Sequence, residues 1–101
     1  MKKIPIACQL SAAEIEARRE GLLPGLLLQA QERVPVDDGF RWRFAPSSEI
    51  LAATARTIDV EGRCCRFLKF VLTIEPDEGS IWLEISGPPG TAKFLAVLCR
   101  D

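Results

Sequence analysis

The chain has 101 residues, a formal net charge of −1 and 48% hydrophobic residues, which fits one domain spanning residues 1–101 with enough apolar material for a core. Its charges are mixed along the chain and form no basic run, so the electrostatic footprint of a nucleic-acid-binding protein is missing. No apolar stretch reaches the roughly 18 residues needed to span a bilayer, so a membrane is not an expected partner.

In chain order, Ser11 followed by Glu14 forms a capping box that opens a helix. Gly21 and Pro24 interrupt it, and the leucines from Leu22 to Leu28 continue it, so a broken helical pair is expected over about 11–33. Val34 to Gly39 reads as a turn-rich lead-in. Phe40, Trp42 and Phe44 then alternate with Arg41 and Arg43, the period-two signature of a strand with one aromatic and one basic face. A helix capped by Ser47 or Ser48 runs to about residue 65, with an expected apolar stripe of Leu51, Ala55, Ile58, Gly62 and Cys65.

Alternation returns in Leu68, Phe70, Leu72 and Ile74, and again in Ile81, Leu83 and Ile85. Pro76-Asp77-Glu78-Gly79 lies between, so these two strands should form a hairpin. A last helix is expected from about Thr91 to Cys99 with Phe94, Leu95 and Leu98 inward. The expected order is α(broken)-β-α-β-β-α: a two-layer α+β domain, with a three-stranded sheet and helices on one face. The first two strands flank a helical crossover, which should be right-handed if they run parallel in one sheet.

The chain contains neither His nor Tyr. Imidazole bases, Cys-His and Ser-His nucleophile pairs and His-containing zinc sites are therefore excluded. The concentrated chemical feature is the trio Glu61, Cys64 and Cys65. On a helix, with about 100° per residue, the carboxylate lies one turn from both thiols. Two thiols and a carboxylate suit a soft, thiophilic metal ion, the one cofactor implied here. Cys8 is the expected additional sulfur, and Cys99 is another. A helix C-terminus and Glu61 raise thiol pKa values while Arg63 and Arg66 lower them, so spacing does not mark a hyper-reactive cysteine.

A disulfide between Cys64 and Cys65 would close a strained ring. The lysines of Met1–Cys8 precede no apolar run fit for a signal peptide, so reduced thiols and a cytoplasmic location are expected. The alternative reading makes Cys65 a small core residue, Cys64 a bystander and Glu61 a solvated edge residue.

The segment Glu61-Gly62-Arg63-Cys64-Cys65-Arg66-Phe67-Leu68-Lys69-Phe70 resembles the Glu-x-x-Cys-Cys-Pro-Phe motif of a family of small bacterial proteins. The likeness extends to Cys8 before an Arg-rich helix, the Gly39-Phe40 strand, and Gly87-Pro88 before a helix with Phe94-Leu95. Arg66 departs from the motif, which has Pro there. The resemblance implies thiol or metal handling and transfers no activity.

Gly87-Pro88-Pro89-Gly90-Thr91-Ala92-Lys93 has the outline of a phosphate-binding loop. Ala92 crowds the backbone cradle and Phe94 cannot bind magnesium, so a turn with Thr91 capping the last helix is expected instead. The polar sheet face should carry Arg41, Arg43, Lys69, Thr73, Glu84 and Trp82. It could serve a ligand, or self-association as a homodimer. The expected function is a small accessory protein acting through Cys64 and Cys65, with Glu61, in thiophilic metal binding or thiol redox chemistry. The alternative is a non-catalytic homodimeric interaction domain with structural cysteines.

Overall fold

The computed structural model describes residues 22–98. The elements in order are α1 (Leu22–Leu27), β1 (Glu32–Val36), β2 (Gly39–Phe44), α2 (Ser48–Cys64), β3 (Lys69–Ile74), β4 (Ile81–Ser86) and α3 (Thr91–Leu98). The strands form one antiparallel sheet in the order β1-β2-β4-β3. β2 and β3 are each antiparallel to β4 and so run parallel to one another, with β4 between them and α2 as their connection. The expected α+β architecture holds; the expected strand count does not, because the sheet has a fourth strand.

That strand lies in the segment read as a lead-in. Val34 pairs with Arg41 and Pro35 with Phe40, and the register closes at Val36 and Gly39 around a two-residue turn, Asp37-Asp38. Pro35 cannot donate to a ladder, so it belongs on an edge, and β1 is the edge. Asp38 adopts a left-handed φ of 51°, a conformation that Asp tolerates better than most residues. At Gly39 any Cβ would collide with the Ile85 carbonyl oxygen, so glycine is needed there for close approach to β4.

The second helical segment stops at Leu27 rather than near residue 33. Short bonds from Gln29 N to the Leu26 carbonyl and from Ala30 N to the Leu27 carbonyl tighten its end. Gln31 N then donates to the Arg43 carbonyl at 2.7 Å, so the chain has already entered the sheet ladder. The expected helix over the first part of 11–33 lies outside the described residues.

Phe40, Trp42 and Phe44 share the inner face with Ile85, Leu83 and Ile81, and with Phe70, Leu72 and Ile74, in three rungs set by the register. The core joins these to Leu26 and Leu27 of α1 and Leu95 of α3, with Ile50, Ala53 and Ile58 of α2 partly buried against them. Burying one large aliphatic or aromatic side chain contributes about 1.5–3 kcal/mol, so this face dominates the stability.

Helix α2 begins as its sequence predicts, with the Ser47 hydroxyl oxygen accepting from Ile50 N at 3.0 Å. It is rotated from the expected stripe, however. Leu51 and Ala55 are exposed, and the buried residues are Thr54, Thr57 and Glu61. Both threonine hydroxyls donate back to the carbonyls of Ile50 and Ala53 at 2.7 Å, which satisfies them locally and lets their methyl groups pack.

Candidate functional site

Glu61 and Cys65 lie four positions apart, where α2 runs out, and both are buried: Glu61 is 3% exposed and Cys65 0%. The Cys65 amide donates to the Glu61 carbonyl at 2.7 Å, and its own carbonyl accepts from Leu68 N at 3.1 Å. The backbone of Cys65 is thus held on both sides. Cys64 is exposed, because a step of about 100° carries it off the buried face. Arg63 is exposed as well and pairs with Asp59 at 3.0 Å, so its guanidinium is spent along the helix surface. Cys64 is a free thiol. Cys8 and Cys99 lie outside the described residues.

The turn after Cys65 is pinned at the end of the sheet. Phe67 is buried, and its carbonyl approaches Gly87, where a Cβ would lie 2.9 Å from it and 2.6 Å from the Thr91 hydroxyl oxygen. Gly87 N donates to the Asp38 carbonyl at 3.2 Å, which brings the β1–β2 turn to the same end. Thr91 does not cap α3 as expected. It is the first residue of that helix, it is buried, and its hydroxyl donates to the Pro88 carbonyl at 2.7 Å. The preceding residue supplies the first helical acceptor: Phe94 N bonds the Gly90 carbonyl at 3.1 Å, and Gly90 takes a φ of 103° that favours glycine.

Among the described residues, no three Cys, Asp or Glu side chains group closely enough to hold a metal ion. A groove of about 360 Å³ opens between α1 and β1, lined by Pro24, Leu27, Ala30, Arg33 and Trp42 among others. None of Glu61, Cys64 and Cys65 borders it.

The outer sheet face is the other candidate. Register places Arg43 beside Trp82, Arg41 beside Glu84, and Lys69 beside Ser86. The Arg41 guanidinium carbon lies 4.1 Å from the centroid of the Trp82 ring, a diagonal cation–π contact across β2 and β4. Arg43 donates to the side-chain oxygens of Glu32 at 2.9 Å and Gln31 at 2.8 Å. β1 adds Glu32, Val34 and Val36 to this face; none of these was expected there. The signal that finds them is the alternation of Val34 and Val36 running into the Asp37-Asp38 turn before Gly39.

No family model matches the chain, and no curated protein or solved structure matches it either. No helix among the described residues is long and apolar enough to cross a membrane.

Proposed function

We propose that the chain is a small accessory protein that takes up a thiophilic metal ion at the C-terminal end of α2, through Cys65 and Glu61, with Cys64 beside them and Cys8 as a further sulfur ligand. The observation carrying this reading is the burial of Glu61 on the same face as Cys65. A cysteine that served only as a small core residue would need no carboxylate at its side. Thiolate and carboxylate together offer charge and polarisable sulfur, a donor set suited to a soft cation.

Thiol redox by the adjacent pair is the weaker form of this reading. Cys64 is exposed and Cys65 buried, so one sulfur or the other would have to reverse its environment for a bond between neighbours that is already strained. The described residues hold fewer than three grouped donors, so a closed site needs a ligand from beyond them, and Cys8 is the one proposed here.

Protein purified without chelator, and protein titrated with Zn(II), Hg(II) or As(III), is assayed by counting free thiols per chain. Protection of two or more thiols at one ion per chain supports metal uptake. Loss of that protection in Cys65→Ser and in Cys8→Ser assigns the ligands. A thiol count that no ion changes, or protection by the ion that persists undiminished when Cys64→Ser and Cys65→Ser are combined, ends the reading.

A further inference from the structure

The outer face of the sheet carries three rungs, read from β1 to β3. They are Glu32-Arg43-Trp82-Thr73, then Val34-Arg41-Glu84-Val71, then Val36-Gly39-Ser86-Lys69. Leu26 and Leu27 of α1 and Leu95 of α3 join the core of the inner face, with Ile50, Ala53 and Ile58 of α2 partly buried against it. Trp82, Val34 and Val36 are half-buried, and Val71 is exposed. Trp and Arg are favoured at interface centres; Arg41 lies in the middle rung and stacks on Trp82, which stands on the central strand β4 in an end rung.

We propose that this face binds the same face of a second copy of the chain. The charges favour self-pairing. Glu32 and Lys69 occupy opposite corners, on the two edge strands and at opposite ends of the sheet. A two-fold axis in the interface plane, along the other diagonal, lays each Lys69 on Glu32 of the partner subunit. The same operation gathers Glu84 and Arg41 of both copies around the centre of the face and turns each Trp82 towards the partner's Val71 and Thr73. The two sheets then cross near a right angle, one of the two ordinary ways sheets stack, and the contact is isologous as a closed dimer requires. An acidic or a basic partner would meet both signs of charge on this face and be matched by neither half.

The size of the face sets the strength. Four strands about 4.8 Å apart, each about 20 Å long, offer roughly 400 Å² per copy. Two such faces bury roughly 800 Å² in total, below the size of a stable interface and in the range of weak, transient ones, so the dimer is weak.

Sedimentation equilibrium of the full chain, in reductant so that no intermolecular disulfide contributes, is the test. The expected result is a reversible monomer–dimer equilibrium. Lys69→Glu should weaken it about tenfold by setting like charges together, and Glu32→Lys combined with Lys69→Glu should restore it to within about threefold. Both positions are exposed, so these variants keep the fold. Trp82→Ala should abolish the dimer, with circular dichroism confirming a folded chain. A monomer at every concentration overturns the proposal. So does a dimer that neither Lys69→Glu nor Trp82→Ala weakens, or a double variant no tighter than Lys69→Glu alone. The readout is mass, not thiol count, so this proposal and the metal-uptake reading fail separately.

Discussion

The rings of Phe67 and Phe94 meet edge to face, with centroids 5.3 Å apart and planes at 75°. This contact ties the turn after Cys65 to α3 across the end of the sheet. Phe67→Ala removes a buried ring and is expected to cost about 3–5 kcal/mol. It should also release the segment that holds Cys65 in place. Urea unfolding and alkylation of Cys65, both in the Phe67→Ala protein, check the two effects. A variant that loses stability without exposing Cys65 would separate the aromatic contact from the thiol.

Cys64 and Cys65 should differ sharply in reactivity, since one thiol is exposed and the other 0% exposed. With an alkylating reagent, Cys64 is expected to label promptly and Cys65 only through opening of the local structure, slower by a factor on the order of 100 or more. Peptide mass spectrometry over time resolves the two sites. Equal rates would mean that the end of α2 opens freely.

Gly39→Ala places a methyl group against the Ile85 carbonyl and 2.7 Å from the Ser86 Cα. Both are backbone atoms of β4, which pairs on both sides, so they have little room to give. The expected loss is about 1–3 kcal/mol, as for other overpacked sites. Thermal unfolding measures it, and an unchanged midpoint would contradict the close approach.

Asp77 and Glu78 both take left-handed φ values, 57° and 55°, at the centre of the β3–β4 turn. Gly79 N closes that turn onto the Pro76 carbonyl at 3.1 Å. The mirror-image turn suits the twist of a hairpin, yet costs an L-residue about 1–2 kcal/mol where glycine has none to bear. Glu78→Gly is therefore expected to stabilise the protein by about 1 kcal/mol, raising Tm by about 5 °C. A lower Tm would show that Glu78 contributes something the turn geometry does not express.

Thr57 is 1% exposed and returns its hydroxyl to the Ala53 carbonyl. If its methyl group packs and its hydroxyl is merely satisfied, Thr57→Ser should cost about 1 kcal/mol and Thr57→Val less than that. Denaturant midpoints of the two variants decide it. The reverse order would assign the stabilising role to the hydroxyl.

Much of the sheet was legible because a strand writes itself locally. Phe40, Trp42 and Phe44 alternate with arginines, and Ile81, Leu83 and Ile85 alternate with polar residues and Trp82, so the inner face is already marked in the residues themselves. The hairpin of β3 and β4 and the cap at Ser47 are short-range features of the same kind. β1 was hidden because Pro35 and the acidic turn resemble a loop until β2 supplies their hydrogen-bond partners. The face that α2 buries was hidden for a related reason. Ile50, Leu51, Ala53, Ala55 and Ile58 allow more than one stripe, and the buried threonines look polar until their hydroxyls are seen to bond the preceding turn.

By itself, then, the amino-acid order determined which segments alternate, that a helix starts at Ser47 or Ser48, and that imidazole has no part in the chemistry available to the chain. Only the tertiary structure decided the strand order β1-β2-β4-β3, the rotation of α2, and the burial of Glu61. Periodicity is a property of adjacent residues, whereas strand order and burial depend on contacts between segments far apart in the chain.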